Sequence, residues 1–192
     1  DVLGRPIGRQ DQYAAAFGGI NVFRFSGEKV ERQPVQLPPL IKRDFLNYFM
    51  LFFSGKRRDS SSVLSSQRSR VAAADADTLT ALHRMKDIAL EMEGALRSAA
   101  WERFGELMRQ AWEEKVRAAP EAADAETAQT FREALDRGAW AMKVTGAGAG
   151  GFYLCMAPPD RLAALTSYLS SRNLTPYPFR WDEDGVREVI GE

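Results

Sequence analysis

A glycine-rich segment between two apolar runs is the part of this sequence whose residue types and spacing point most directly to chemistry. Lys143–Leu154 has the sequence KVTGAGAGGFYL, with glycine at positions 146, 148, 150 and 151. Because glycine lacks a Cβ atom, its backbone can approach an anion closely, adopt positive φ and turn N–H groups toward the ligand. The segment therefore predicts a phosphate-binding loop. A glycine-rich hairpin that only permits close packing is the alternative.

The same glycines match the dinucleotide-binding pattern G-x-G-x-x-G through Gly146, Gly148 and Gly151. That pattern binds a dinucleotide only when the loop opens a helix within a strand–helix–strand unit. Here the loop is followed by the apolar and aromatic run Phe152–Ala157, which predicts a buried strand. The context therefore disfavours a Rossmann domain, and the sequence contains no P-loop motif.

Composition limits the classes of protein that the chain can represent. Its 192 residues are 45% hydrophobic and 27% charged, which suits a globular protein that buries a core. Basic and acidic residues number 26 each, so no overall charge favours nucleic acid as a partner. The longest apolar stretch is too short to span a membrane and no signal peptide is apparent, so we expect a cytoplasmic protein without a membrane partner.

The chain has one cysteine, Cys155, and one histidine, His83. An internal disulfide is therefore impossible, and no cluster of metal-ligating side chains is apparent, so we expect no metal site formed by this chain. Cys155 lies in an apolar run and is expected to be a buried thiol. His83 lies in a helical pattern, so acid–base chemistry would fall to carboxylates, lysine or tyrosine.

Helices and strands are predicted in blocks along the chain. Apolar residues at three- and four-residue steps predict the longer helices, and alternating or continuous apolar runs between turn residues predict the strands. The predicted helices lie at 8–17, 75–98, 100–118, around 128–135 and at 158–173, with hairpins at 20–35 and 177–190 and a strand at 45–53. Strands also flank the glycine loop. This order predicts an α+β fold.

Two separated segments resemble motifs of one family, the GHMP kinases. Lys143–Gly151 is similar to the third motif of that family, and Gly8–Asn21 resembles the segment that carries the catalytic aspartate in its sugar kinases. The resemblance covers essentially the whole chain and is strongest to the heptose 7-phosphate kinase branch. Shorter similarities that agree with it lie at Phe53–Arg58, Phe104–Leu107, Trp112–Lys115 and Gly138–Trp140.

The resemblance implies a fold and a position within a longer enzyme. Residues 1–40 would be the end of the N-terminal GHMP domain, and residues 41–192 the C-terminal domain, with ferredoxin-like helices on an antiparallel sheet. The family's loop that wraps the ATP phosphates and supplies a serine to Mg²⁺ has no counterpart in these residues. We therefore expect the main ATP and Mg²⁺ ligands upstream of residue 1, in a missing N-terminal portion of the same kinase.

The resemblance also assigns roles to single residues. Asp11 would be the catalytic base, although an acidic residue in a first helical turn also simply favours the helix dipole. By their chemistry, the amides of Gln10 and Gln12 suit sugar hydroxyls, although ordinary solvated polar residues are of the same types. Arg58 could pair with an anionic group of the substrate, or it could be a solvated arginine at the start of a helix. The phosphate or nucleotide site would comprise Gly146, Ala147, Gly148, Ala149, Gly150 and Gly151, with Gly148 also shaping the substrate pocket.

Arg5 and Arg9 lie close to Asp11 in sequence and are weaker candidates for stabilising charge. The implied activity is ATP-dependent phosphorylation of a sugar, most similar to phosphorylation of the anomeric hydroxyl of a heptose 7-phosphate. A related fucose- or galactose-type kinase is the alternative among enzymes. A non-catalytic α+β binding module is the alternative from another class.

Overall fold

The computed structural model of the chain describes residues 8–56, 60–148 and 150–187, which contain seven α-helices and six β-strands. The helices are α1 (Gln10–Phe17), α2 (Pro39–Leu46), α3 (Ser60–Ala72), α4 (Ala76–Arg97), α5 (Trp101–Ala118), α6 (Ala125–Asp136) and α7 (Pro159–Ser171). The strands are β1 (Asn21–Ser26), β2 (Lys29–Pro34), β3 (Phe49–Phe53), β4 (Ala141–Val144), β5 (Phe152–Met156) and β6 (Thr175–Tyr177). A short 3₁₀ helix spans Pro120–Ala122.

Four strands form an antiparallel sheet in the order β4-β5-β3-β6. The glycine loop joins β4 to β5 as a hairpin, in which Val144 lies opposite Tyr153. Helices α5, α6 and α7 contact this sheet and bury its apolar side chains in the main core. This architecture of helices on an antiparallel sheet agrees with the predicted α+β class.

Helix capping explains where two of these helices begin. Asp75 accepts a hydrogen bond from the backbone N–H of Thr78 at 2.8 Å and so caps α4. Asp124 caps α6 in the same way, through the N–H of Thr127 at 2.8 Å. An aspartate at this position satisfies a backbone donor that the helix leaves free.

A smaller unit consists of α1 and the β1–β2 hairpin. No residue of α1 is buried, and the helix is held by ring contacts of Tyr13 with Phe23 and Phe25. Two arginines also pack on aromatic rings of this unit: Arg32 lies over the Phe17 ring, and Arg9 lies over the Phe25 ring. The predicted first helix and first hairpin are both present.

The predicted strand at 45–53 is wrong in its first part. Pro39 occupies the first turn of α2, a position where its missing N–H costs nothing, and the helix runs to Leu46. Phe45 therefore lies on a helix and packs against Phe49 and Trp101. The strand begins only at Phe49.

The predicted closing hairpin at 177–190 is wrong over its described residues. Only Thr175–Tyr177 forms a strand, which pairs with β3, and residues 178–187 contain no strand. Asp182 instead accepts backbone hydrogen bonds from Asp184 and Gly185, both at 3.1 Å, and forms a tight turn. Residues 188–190 lie outside the described part of the chain.

Cys155 and His83 have the environments that the sequence predicted. Cys155 is completely buried, and this burial raises the pKa of its thiol to about 12, so the thiol stays protonated. His83 is exposed on α4. Among the described residues, no helix combines the length and the apolar character needed to cross a bilayer.

Candidate functional site

Glycine conformation and cross-strand hydrogen bonds define the loop between β4 and β5. Gly146, Gly148 and Gly150 have φ values of +67°, +110° and +130°, which side-chain-bearing residues rarely adopt. Thr145 donates its N–H to the carbonyl of Phe152 at 2.9 Å and so closes the base of the loop. The carbonyl of Gly151 accepts two hydrogen bonds from Ser54, one from its N–H and one from its hydroxyl.

Close packing requires glycine at two positions of the loop. A Cβ atom at Gly148 would lie 2.9 Å from the Cβ of Ala122, and one at Gly150 would lie 3.1 Å from the carbonyl oxygen of Lys56. A Cβ atom at Gly146 would meet nothing within 4 Å. The loop is therefore a packed hairpin at Gly148 and Gly150 and open at Gly146.

The loop also carries unused hydrogen-bond donors. Within residues 8–56, 60–148 and 150–187, the backbone N–H groups of Gly146, Ala147, Gly148 and Gly150 have no acceptor. Ala149 lies outside the described residues. Free amides on a glycine-rich turn are suitable donors for the oxygens of an anion. The glycine loop is therefore closely packed at Gly148 and Gly150, and it also presents the free backbone donors that are expected of a phosphate-binding loop.

Two lysines that the sequence analysis did not assign to the site lie near this loop, one in contact with it and one on the strand that leads into it. Lys115 of α5 donates from Nζ to the carbonyl oxygen of Gly146 at 2.6 Å. The pKa of Lys115 is lowered to about 8, mainly by burial and secondly by the nearby charge of Lys143, while Asp11 opposes the shift. Burial also lowers the pKa of Lys143 on β4, again opposed by Asp11.

Asp11 therefore shares an electrostatic environment with both lysines and, through Lys115, with the glycine loop. It lies exposed in the first turn of α1, far from the loop in sequence. Gln10 and Gln12 are exposed on the same helix, and their side chains make no hydrogen bond to the described residues. Asp11, the two ammonium groups and the loop donors can act together on a polar, anionic ligand, and Gln10 and Gln12 lie on the same helix as Asp11.

The other predicted cations differ in position. Arg9 donates to the carbonyl oxygen of Gly27 at 2.6 Å and covers Phe25, so it holds α1 against the hairpin. Arg5 and Arg58 lie outside the described residues. In the described part of the chain, no group of three or more His, Cys, Asp or Glu side chains is arranged to hold a metal ion.

A third lysine holds the far side of the loop. The carbonyl of Lys56 accepts the N–H of Gly151 at 2.9 Å, and its Nζ donates to Glu126 at 2.7 Å and to Asp124 at 3.2 Å. Burial of Asp124 opposes its ionisation, but hydrogen bonds from Thr127 and Lys56 outweigh this effect and hold its pKa well below the ordinary value. The loop is thus tied to α6 as well as to α5.

The sequence contained a signal for both missed lysines. Lys143 is the single charged residue in the otherwise buried strand Ala141–Val144. Lys115 follows buried Trp112 by three residues on α5, at the border of its apolar face. A half-buried lysine at such a border is a candidate for contact with a ligand or with a neighbouring backbone.

Comparison with known proteins agrees with this geometry. Residues 92–174 match the family model described as GHMP kinases C terminal. The chain is 27% identical over 186 residues to the D-glycero-alpha-D-manno-heptose 7-phosphate kinase of Campylobacter jejuni, a match that covers 96% of this chain and 54% of that protein.

Solved structures show the same similarity. The crystal structure of a D-glycero-D-manno-heptose 1-phosphate kinase from B. thetaiotaomicron is 26% identical, with a TM-score of 0.66 over 93% of this chain and 47% of that one. The L. major mevalonate kinase in complex with R-mevalonate is 18% identical, with a TM-score of 0.70 over 84% of this chain and 48% of that one, and shares the fold. The chain spans about half the length of these relatives.

Proposed function

We propose that the protein transfers the terminal phosphoryl group of ATP to a sugar hydroxyl, because residues 92–174 match the family model of the GHMP kinase C terminal. The relatives at 26–27% identity are named as kinases of heptose phosphates. We therefore propose a heptose 7-phosphate as the acceptor and its anomeric hydroxyl as the nucleophile. The observation that carries this proposal is that Lys115, which hydrogen-bonds the glycine loop at Gly146, also lies within electrostatic range of Asp11 and Lys143.

The proposed mechanism relies on positioning and on charge. Phosphoryl transfer needs an oriented hydroxyl and donors that stabilise the charge on the transferred group. Asp11 would accept the proton of the sugar hydroxyl, since an ionised carboxylate is an acceptor only. The free N–H groups of Gly146, Ala147 and Gly148 would donate to phosphoryl oxygens, because fixed amides need no reorganisation during the reaction. Gln10 and Gln12 would orient the hydroxyls of the sugar.

The residues of this chain fit a phosphate better than they fit a metal ion. Mg²⁺ prefers oxygen ligands and usually keeps several waters, with one or two carboxylates and the substrate phosphates as the remaining ligands. Of the described residues near the loop, Asp11 supplies one such carboxylate, and no larger acidic cluster is present among them. Mg²⁺ would neutralise charge on the ATP phosphates, and the loop and Asp11 would act on the transferred group and the acceptor.

We also propose a division of the chain, with residues 1–40 as the end of one domain and 41–192 as a second. The separation of the β1–β2 hairpin from the four-stranded sheet supports this boundary. Asp11 would then come from one domain and the glycine loop from the other. A sugar bound between them would contact both, as is common for ligand sites at domain interfaces.

Substitution of Asp11 tests the proposed function. The longest natural polypeptide that contains this chain is assayed with ATP, Mg²⁺ and a panel of a heptose 7-phosphate, fucose and galactose. We expect Asp11→Asn to lower kcat by about 10²- to 10⁴-fold with little change in KM, because the isosteric amide keeps the shape but cannot accept the proton. Asp87→Asn, at an exposed aspartate of α4, is the matched control.

Each alternative has its own outcome in this assay. Unchanged turnover by Asp11→Asn would remove Asp11 as the base. Turnover of fucose or galactose in place of the heptose phosphate would identify a different sugar kinase. A wild-type protein that phosphorylates none of the sugars, yet is folded, would favour a non-catalytic α+β binding module.

A further inference from the structure

Two lysines approach the glycine loop from different elements of the fold. Lys115 comes from α5, which packs on β4, and Lys143 belongs to β4 itself, just before the loop. Both side chains are half-buried. The helix–strand contact therefore holds the Lys115 ammonium against a backbone turn that has free N–H groups, with the Lys143 ammonium within electrostatic range of it.

The hydrogen bonds of these lysines leave most of their donors unused. Lys115 uses one of its three Nζ donors on the Gly146 carbonyl, at 2.6 Å. Lys143 Nζ has no acceptor within the described ranges 8–56, 60–148 and 150–187. Against these two positive charges the same neighbourhood offers one carboxylate, that of Asp11. Unused donors and an excess positive charge favour an anionic ligand.

We propose that Lys115 and Lys143 bind a phosphate monoester dianion against the glycine loop, and that Lys115 also fixes the shape of the loop through the Gly146 carbonyl. This inference rests on the proposed kinase function in one respect, because a kinase that acts on a sugar phosphate would bring two different phosphate groups to the site. The phosphate is either the group transferred from the nucleotide or the one that the sugar already carries. The chemistry that recognises it is the same in both cases.

The electrostatics of the two lysines agree with this assignment. Burial disfavours the charged form of both lysines, and the two like charges add to this effect at Lys115. A bound dianion would reverse both contributions, because an opposite charge in a partly desolvated site stabilises the ammonium form. Phosphate and the two lysine charges therefore stabilise one another.

Binding of inorganic phosphate to this 192-residue chain tests the proposal without any turnover. The titration is followed by ¹H–¹⁵N correlation spectra at constant ionic strength maintained with chloride. We expect saturable shifts of the Gly146, Gly148 and Gly150 amides. Lys115→Met and Lys143→Met should each weaken binding by about tenfold, the loss expected for one charge-assisted hydrogen bond.

Two further variants keep the result interpretable. Lys86→Met removes an exposed lysine of α4 and should bind phosphate as the wild type does. Lys115→Arg retains the charge and should lose less affinity than Lys115→Met. If a methionine variant does not fold, as judged by its amide spectrum, the glutamine variant at the same position replaces it. Wild-type affinity in folded neutral variants at both positions would overturn the proposal.

Competition identifies the source of the phosphate. Mannose 6-phosphate and ATP are added separately to the phosphate-saturated chain. Displacement by the sugar phosphate alone assigns the site to a phosphate carried by the acceptor, whereas displacement by ATP alone assigns it to the transferred group. Displacement by neither would overturn the site. Lysine-dependent phosphate binding in a protein without kinase turnover would refute the proposed function and leave this inference intact.

Discussion

At the scale of single residues, Lys115 combines two roles that oppose each other. Its hydrogen bond to Gly146 requires a donor, which either protonation state supplies, whereas its half-buried position disfavours the charge that an anion needs. Such perturbed groups are more frequent in functional sites than elsewhere in proteins. The lowered pKa of Lys115 therefore indicates a charge that its surroundings in the protein disfavour and that a bound anion would stabilise.

This conflict predicts how Lys115 contributes to stability as pH changes. The folded pKa of about 8 lies below the ordinary value of 10.5, so between these pH values the unfolded chain binds more protons. The contribution of Lys115 to the free energy of unfolding should therefore rise as pH increases through this window. Urea unfolding of the wild type and Lys115→Met should show that the variant's relative stability is higher at about pH 7.5 than at about pH 10.

Other titrating groups are common to both proteins and cancel in this comparison, apart from Lys143. Removal of the Lys115 charge relieves Lys143 as well, because the two ammonium groups repel each other. That repulsion is already part of the lowered pKa of Lys115, so the expected difference is the one that follows from this pKa alone. If the free energies of unfolding of the wild type and Lys115→Met differed by the same amount at every pH, that result would contradict the lowered pKa of Lys115.

The glycine loop could be predicted from the sequence, but Lys115 and Lys143 were not assigned to it. The loop is a local pattern in which glycine is needed for backbone conformation, and four of its glycines have positive φ. Lys115 and Lys143 become neighbours only because α5 packs on β4, and a single sequence does not show that contact. The assignment of Asp11 as the base stays a prediction.

At the scale of elements, the contact between α5 and the start of β4 depends on a glycine in the middle of a helix. Gly105 is buried, and a Cβ atom there would lie 2.7 Å from the Cβ of Trp140. The close approach of helix and strand is also what carries Lys115 to the loop. Gly94 of α4 offers a matched control, because it is exposed and a Cβ there would meet nothing within 4 Å.

We expect opposite effects of alanine at these two helical positions. Gly105→Ala should lower the free energy of unfolding by about 1–3 kcal/mol, since the added methyl group overpacks the contact with Trp140. Gly94→Ala should raise it by about 0.5–1 kcal/mol, because alanine restricts the unfolded chain and fits the helix. Urea unfolding at neutral pH measures both, and equal effects would show that the α5–β4 contact tolerates a larger separation.

Periodicity predicted the long helices correctly because their apolar faces are built from local spacing. Helices α4 and α5 lie within a few residues of the predicted bounds. The sequence did not predict that 39–46 is a helix, because Pro38 and Pro39 suggested a break in the chain and Phe45 continues into the aromatic run of β3. The helical conformation of this segment depends instead on tertiary packing, in which Phe45 contacts Trp101.

At the scale of the whole molecule, segment 181–187 is packed against α1 and the turn that follows it. Gly19 donates its N–H to the carbonyl of Asp182 at 2.6 Å, and Val186 donates to the carbonyl of Ala16 at 3.2 Å. Gly18 and Gly185 touch, and a Cβ atom on Gly185 would clash with the Ala16 carbonyl. Because α1 buries no residue of its own, this contact helps to hold the helix that carries Asp11.

Substitution of Gly185 by alanine should therefore weaken the packing between segment 181–187 and α1. Gly185 and Gly27 have similar positive φ values, +65° and +61°, so alanine costs about 1 kcal/mol of backbone strain at either position. Only Gly185→Ala adds a clash, since a Cβ atom on Gly27 meets nothing within 4 Å. Hydrogen exchange should accelerate at the Gly19 and Val186 amides in Gly185→Ala and stay unchanged there in Gly27→Ala. Equal protection in the two variants would show that α1 is held in place by its aromatic contacts with the hairpin alone.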